Sequence, residues 1–418
     1  MYALVDGNNF YASCERAFNP ALRQKPLVVL SNNDGIVIAR SNEVKAMGIK
    51  TGTPAFQIKK LIEQEKIIAF SSNFALYGDM SQRMMGIFKN FSPDIEIYSI
   101  DEAFLDFSAF QNIDLREKGI AIRRQVLKNI GIPVSVGFAP TKTLAKMANR
   151  IAKKYMKSGV AIIDTPEKIK RALKMIAIED VWGIGRKYSK MLQQHQIKTA
   201  WEFTRLSDEF IRKKMSVVGL RTKEELLGTA CIPMEFEAPD RKTIRTARSF
   251  AQSTQNYNDV AESVATFAGA CAQKLRSQKS VANLLTVFIR SNRFDKNNSY
   301  YANNFTIQLA ASNSSIDLIK AANKALKIIF KEGVLYKKAG VMVSGLQPDQ
   351  HRQLSLFDDQ NYVKHKQLMQ VIDKLNAING YQLLKIGAEG QSKTWRLKQE
   401  HRSNRYTTRW DELIEIKV

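Results

Sequence analysis

Acidic residues are the minority in this chain of 418 residues: 40 Asp and Glu stand against 64 Lys and Arg, a formal net charge of +24. Such a surplus points to a polyanionic partner. DNA or RNA comes ahead of anionic membrane, because no basic amphipathic helix with an aromatic face stands out. Cysteine is scarcer still. Cys14, Cys231 and Cys271 are odd in number, widely spaced and outside any CxxC or Cys/His cluster, which argues against a disulfide scaffold and a zinc site. No run of 18 or more apolar residues occurs, so no membrane span is expected. The start, "MYALVDGNNF", lacks a basic segment followed by an apolar stretch and a cleavage site, and a cytoplasmic protein is expected. What is present, 44% hydrophobic and 25% charged residues, suits a globular chain of roughly two to four domains.

Local patterns organise the chain. "MYALVD", "PLVVLS" (26–31) and "GIVIAR" (35–40) read as strands, the last two joined by the turn signal "NNDG". A short helix stopped by Gly48 follows, then a longer one containing "YGDMSQRMMGIFKNF". Next come a hairpin, "IEIYSIDEAFLDF", a helix through "LREKGIAIRRQVLKNIG", a strand "PVSVGFA" and a helix "TKTLAKMANRIAKKY". This mixture predicts an α+β or mixed α/β first domain ending near Thr165. From Pro166 to Pro233 the pattern is helical. Its G-x-G turn, Gly183 to Gly185 followed by Arg186, resembles a helix-hairpin-helix whose backbone amides can hold a phosphate, although an ordinary helix-helix turn would look the same.

"EFEAPDRK" (235–242) reads as a linker. Between Asp240 and Gly345 stand 16 Lys and Arg against 6 Asp and Glu, in a pattern of two helices and at least two strands. A small α+β module of that charge suits a sheet laid along a phosphate backbone. Beyond it, "QPDQHRQLSLFDDQN" is polar around an apolar island, Leu354, Leu356 and Phe357. It reads either as a peptide for a partner's pocket or as a strand of a tail domain.

Chemistry concentrates in the first domain. Asp6 closes the first strand, and Asp101 and Glu102 lie near the tip of the later hairpin. Adjacent strands would bring three carboxylates together, and such a cluster repels itself unless cations bind. Hard oxygen ligands suit Mg²⁺ or Mn²⁺, and two ions of +4 against three carboxylates of −3 leave capacity for a nucleotide's phosphates. Spacing alone leaves a solvated hairpin tip equally open. Adjacent residues on a regular strand also point to opposite faces, so Asp101 and Glu102 can share a metal site only if the ladder turns there.

The wording of these stretches carries more. "DGNNFYASCE" and "YSIDEAFLD" match the opening and the S-I-D-E-A-F/Y-L-D signature of the Y-family DNA polymerases. "KPLVVLSNNDGIVIARSNEVKAMGIKTG", "FSSNFALYGDMSQRM", "GFAPTKTLAKMAN" and "VWGIGRKYSKML" resemble successive blocks in the same order. With "SNNDG", "QLSLF" and "RYTTRWDEL", the chain most resembles the UmuC subgroup, the catalytic subunits of bacterial DNA polymerase V and plasmid-borne relatives.

That resemblance implies an α+β multidomain, right-hand polymerase. Its parts would be an α/β palm (1–10 and 78–165), small fingers (11–77), a helical thumb with the helix-hairpin-helix (166–234), a linker (235–243), an α+β little finger (244–345) and a C-terminal tail (346–418). Asp6, Asp101 and Glu102 match the catalytic carboxylates, with the Gly7 carbonyl helping to hold the nucleotide-side metal. Phe10 and Tyr11 fall at the nucleotide, Tyr11 matching the steric-gate aromatic whose ring excludes a 2′-hydroxyl. Lys146 matches the palm lysine and Lys45 stands where many relatives carry Arg, both expected at the triphosphate, with Arg40 a further nucleotide-side candidate. Gly183, Gly185 and Arg186 would meet DNA. Gln353, Leu354, Ser355, Leu356 and Phe357 resemble the peptide that docks in the sliding clamp. Implied too are a primer-template and dNTPs, two Mg²⁺ with Mn²⁺ as substitute, a UmuD′-like dimer, a RecA filament, and low-fidelity translesion synthesis in the SOS response, nucleoid-associated when active. A metal-dependent nuclease would share the carboxylates and basic charge, but has no use for Tyr11 or triphosphate lysines.

Overall fold

A computed structural model describes residues 1–351 apart from Gln111, Ala238 and Lys296, together with 362–378, 383–390, 395 and 397–414. The expected clamp peptide, 353–357, lies outside the described residues. The chain forms two compact units, Met1–Ala238 with Glu400–Val418, and Pro239–Gln399.

The first unit begins with β1 (Tyr2–Gly7), α1 (Phe10–Phe18), β2 (Leu27–Leu30), β3 (Val37–Arg40), α2 (Asn42–Ala46), α3 (Ala55–Glu63), β4 (Ile68–Ser71) and α4 (Phe74–Phe88). It continues through β5 (Ile95–Ile97), β6 (Glu102–Asp106), α5 (Leu115–Ile130), β7 (Val134–Ala139), α6 (Lys142–Tyr155) and β8 (Val160–Ile162). A five-stranded sheet has the order β5-β6-β1-β7-β8. Its central strand β1 is apolar on both faces because both are covered. Ala3 and Val5 enter the core shared with Met84, Phe88, Ile122 and Val126 of α4 and α5. Leu4, between them, enters the opposite core with Leu144, Ala148 and Ile151 of α6, as the twofold alternation of a strand requires. Each buried Val, Leu or Ile among them contributes roughly 1.5–3 kcal/mol. A glycine sets how closely α6 approaches: a Cβ on Gly137 of β7 would come within 2.1 Å of the Asn149 backbone nitrogen.

A smaller sheet of order β3-β2-β4 has its own core of Val28, Leu30, Val37, Val44, Ile58 and Ile67. Helices α7 (Pro166–Met175), α8 (Arg186–Gln194), α9 (Ala200–Thr204) and α10 (Asp208–Leu227) complete the unit. Thr165 caps α7, with Pro166 in its first turn, the start signal expected at that boundary.

The second unit contains β9 (Ile244–Thr254), α11 (Tyr257–Ser277), β10 (Ser280–Ser291), β11 (Ala302–Ser312), α12 (Ser315–Ile329), β12 (Tyr336–Pro348) and α13 (Tyr362–Ile378). Its antiparallel sheet has the order β11-β10-β12-β9. Leu285, Val287 and Ile289 face the helices. On the other face the Arg245 and Arg290 guanidiniums lie 4.2 and 5.7 Å from the Phe288 ring.

Sequence pattern missed β4, β8, β9 and β12, which are short or interrupted by charge. It also set 346–418 apart as one tail, whereas the contacts divide that stretch. Residues 346–348 end β12, paired with β10 as far as Ser280 opposite Pro348. Asp373 of α13 holds Arg276 of α11 at 2.7 Å. From Glu400 onward the chain belongs to the first unit. Among the described residues no helix is long and apolar enough to cross a membrane.

Candidate active site

Antiparallel pairing of β1 with β6 sets Asp6 opposite Glu102. Asp101 precedes the ladder, in a bend where the Tyr98 and Ser99 amides both donate to the Glu102 carbonyl. The alternation that would turn one of the two carboxylates away therefore does not govern Asp101. Its carbonyl accepts the Gly7 amide at 2.8 Å, and its Oδ1 accepts the Ser99 hydroxyl at 2.6 Å. Glycine suits position 7 because a Cβ there would meet the Phe10 ring at 2.9 Å.

A cavity of about 370 Å³ is lined by Asp6, Gly7, Phe10, Tyr11, Arg40, Lys45, Asp101 and Lys153, among others. Tyr11 lies in the first turn of α1. Its ring stacks on Tyr77 of α4 at 4.5 Å and 15° and meets Phe74 edge-on at 6.0 Å, so its direction is set by packing. Burial, with Asp101 nearby, raises the Tyr11 phenol's pKa. Three cations, Arg40, Lys45 and Lys153, also line the cavity. Arg40, at the end of β3, donates to the Ile49 carbonyl. Lys45, on α2, donates to Asn9, whose backbone is left-handed. Burial, with Arg40 and Lys153 beside it, lowers the pKa of Lys45. Converging positive charge of this kind favours an anion.

Lys153 was not singled out by the sequence, yet its Nζ lies 2.6 Å from Asp6. Burial raises the Asp6 carboxyl to about 6; Lys153 opposes that rise, and Asp101 and Glu102 add to it. The available signal was helical spacing. Lys142, Lys146, Asn149 and Lys153 fall on one face of α6. Asn149 ties that face to the sheet through the Leu4 and Ser135 carbonyls at 3.1 and 2.7 Å. Lys142 reaches Glu96 at 2.5 Å in a fully buried pair. Lys146 reaches Glu102 at 2.8 Å.

Lys146, expected at the triphosphate, does not line the cavity. Its ammonium sits 3.9 Å from the Tyr98 ring centre and 5.2 Å from Trp182. The Trp182 indole in turn donates to the Tyr98 hydroxyl at 3.0 Å. Lys146 is thus held by one carboxylate and two aromatic faces, which leaves Lys153 as the α6 lysine facing the cavity. Gly183 takes a left-handed φ of 89°. Gly185 is the N-cap of α8 and Arg186 its first residue, with no side chain capping the helix amides.

Among the described residues, no group of three Asp, Glu, His or Cys stands in geometry ready to hold a metal ion. Asp6, Asp101 and Glu102 are instead bonded to Lys153, Ser99 and Lys146. The donor set remains all oxygen, of the kind that suits a hard divalent cation, and Asp6 feels the negative charge of both other carboxylates.

Models of the impB/mucB/samB family match residues 5–150, and those of its C-terminal domain match 241–356; a domain described only as of unknown function matches 366–416. The chain is 42% identical to Protein UmuC of Salmonella typhimurium and 39% identical to Protein SamB of that organism, each over 100% of both chains. It is 26% identical to DNA polymerase IV 1 of Bacillus subtilis over 92% of each. A Y-family DNA polymerase chimera of solved structure superposes with a TM-score of 0.65 at 21% identity, over 83% of this chain and 99% of that one, a likeness of fold. Identity of this extent over the full length, together with the family models, leaves one conclusion: the chain belongs to the impB/mucB/samB family, the UmuC-like Y-family DNA polymerases.

Proposed function

We propose that this chain is an error-prone translesion DNA polymerase, extending a primer 3′-hydroxyl with dNTPs at the cavity between Asp6, Asp101 and the cations. The observation that carries the assignment is that Asp6 and Asp101 line one cavity together with Arg40, Lys45, Lys153 and Tyr11. Divalent metal dependence is general in the family. Asp6, Asp101, Glu102 and the Gly7 carbonyl are the groups that would hold two Mg²⁺, or Mn²⁺. Bound there, the ions supply a lowered pKa for the attacking hydroxyl and neutralise charge on the leaving pyrophosphate.

The chain's own residues do the rest. Arg40 and Lys45 receive the triphosphate, and Lys153 exchanges Asp6 for phosphate when the nucleotide arrives. Lys146 holds Glu102 in place. The Tyr11 ring, backed by Tyr77, occupies the space a ribose 2′-hydroxyl would need, a steric exclusion. Gly183, Gly185 and Arg186 offer the uncapped α8 amides to a DNA phosphate, and the arginines on the β9-β10 face extend the grip on the backbone. In this reading the chain divides into palm (1–10 and 78–165), fingers (11–77), thumb (166–234) and little finger (from 244), the last extended through Pro348, where β12 ends. Sliding-clamp docking through residues 353–357, a UmuD′-like dimer and a RecA filament complete the functional reading.

Primer extension by the purified chain with Mg²⁺, dNTPs and a template carrying an abasic site tests it, with and without a UmuD′-like dimer and RecA filament. Template-dependent growth of the primer is expected. Shortening of the primer, or no reaction under any of these conditions, overturns the proposal.

A further inference from the structure

The last described segment of the chain lies in the stretch matched by the domain of unknown function and is built into the wall behind Tyr11. The His401 amide donates to the Ser71 hydroxyl and the Ser71 amide to the His401 carbonyl, both at 3.0 Å, at the end of β4. Asn73, 2% exposed, caps α4 through its Oδ1 and turns its Nδ2 onto the Ser403 carbonyl, the Ser403 hydroxyl and the Asn404 carbonyl at 3.0–3.1 Å. Ser403 then donates its hydroxyl to Glu15 at 3.0 Å. The same Glu15 oxygen accepts the Tyr77 hydroxyl at 2.6 Å, and Tyr77 is the ring on which Tyr11 stacks. Further along, Tyr406 stacks on Phe18 at the other end of α1, at 4.8 Å and 12°.

We infer that the segment His401–Tyr406 is a strap that positions the sugar-selecting aromatic: Ser403 orients Glu15, Glu15 anchors the Tyr77 hydroxyl, and the anchored Tyr77 ring fixes the plane of Tyr11. The inference rests on Tyr11 acting as the steric gate. Ser403, Glu15 and Tyr77 are positioning residues. They act through the angle of one ring, where a tilt of a fraction of an ångström decides whether a 2′-hydroxyl fits. Glu15 is 2% exposed, and an ionised carboxylate so placed is costly unless its donors remain. The strap supplies one of them. Anchorage of the chain end alone would be met by the Ser71 and Asn73 contacts, without a hydroxyl directed at Glu15.

The test compares dNTP and rNTP insertion by the full chain, with any partner it needs, measuring kcat and KM for each sugar. Ser403→Ala and Tyr77→Phe, which keeps the stacked ring, are each expected to lower the dNTP-to-rNTP ratio of kcat/KM by about three- to tenfold, mainly through a lower KM for the rNTP. Ser403→Thr, which keeps the hydroxyl, is expected to restore the ratio. Thermal melts in parallel report folding. An unchanged ratio in both Ser403→Ala and Tyr77→Phe, with native melts, overturns the inference. So does a changed ratio in Ser403→Ala that tracks only a lowered melting temperature and is not restored by Ser403→Thr. Tyr11→Ala is the control for the parent reading. If it leaves sugar preference unchanged the steric gate itself fails; if it relaxes preference while the strap variants do not, only the strap fails.

Discussion

Lys153 places its ammonium 2.6 Å from the Asp6 carboxylate, where positive charge is needed if Asp6 is to stay ionised in a buried position. About two turns of helix away, Lys146 lies 2.8 Å from Glu102. The two lysines lie on one helix face, but only Lys153 opens onto the cavity. Exchange of Lys153 from Asp6 to an incoming phosphate would couple nucleotide arrival to release of the carboxylate.

The two lysines therefore have separable kinetic signatures. Lys153→Met is expected to raise the KM for dNTP about tenfold, as loss of a charge-assisted phosphate contact. Lys146→Met is expected to lower kcat with a smaller effect on KM, because it frees Glu102 without touching the nucleotide. Steady-state single-nucleotide insertion checks both; equal effects on KM would place both lysines at the triphosphate.

Asp101→Asn removes a cavity carboxylate that sits outside the strand ladder, so the β1–β6 pairing should survive it. Primer extension is expected to fall roughly hundredfold or more, while DNA affinity measured by anisotropy stays nearly intact. Retained extension would move the catalytic site elsewhere.

Glu15 gives a pH signature. Burial raises its carboxyl from 4.5 to about 6, against the pull of the Tyr77 and Ser403 hydroxyls. A carboxyl raised in the folded state contributes stability that is fully present below pH 4.5 and is lost as pH rises through about 6. Glu15→Gln keeps the acceptor oxygen and abolishes the titration. Relative to that variant, the native chain is expected to lose on the order of 2 kcal/mol between pH 4.5 and 7. Denaturant melts across this window check it, and a stability difference independent of pH would refute the raised Glu15 carboxyl.

Replacing Leu356 and Phe357 together by Ala is expected to remove sliding-clamp stimulation while sparing distributive synthesis, because a short docking peptide concentrates its affinity in a few apolar anchors. Clamp binding by surface plasmon resonance checks this. Unaltered binding would place the docking motif elsewhere.

Much of the molecule was legible in one dimension. β1, β2, β3, the hairpin and the helices α5, α6 and α7 announce themselves through apolar alternation, helical spacing and caps, because each encodes a local backbone preference together with a buried face. Asp6, Asp101, Tyr11 and Lys45, singled out from motif wording, line one cavity, and Glu102 pairs with Asp6 across β1 and β6. The conflict between adjacent Asp101 and Glu102 and strand alternation was visible too, but its resolution was not, since a bend of one residue leaves no compositional trace.

Composition and motif order thus determined, without coordinates, a basic, nucleic-acid-directed polymerase. Only tertiary structure decided that Lys153 rather than Lys146 faces the cavity, because that depends on where α6 lies against the sheet, to which Asn149 ties it. It alone decided, too, that the end of the chain backs Tyr11. Ser403 and Glu15 are almost a whole chain apart, and a hydrogen bond between them is a product of folding that no local pattern records.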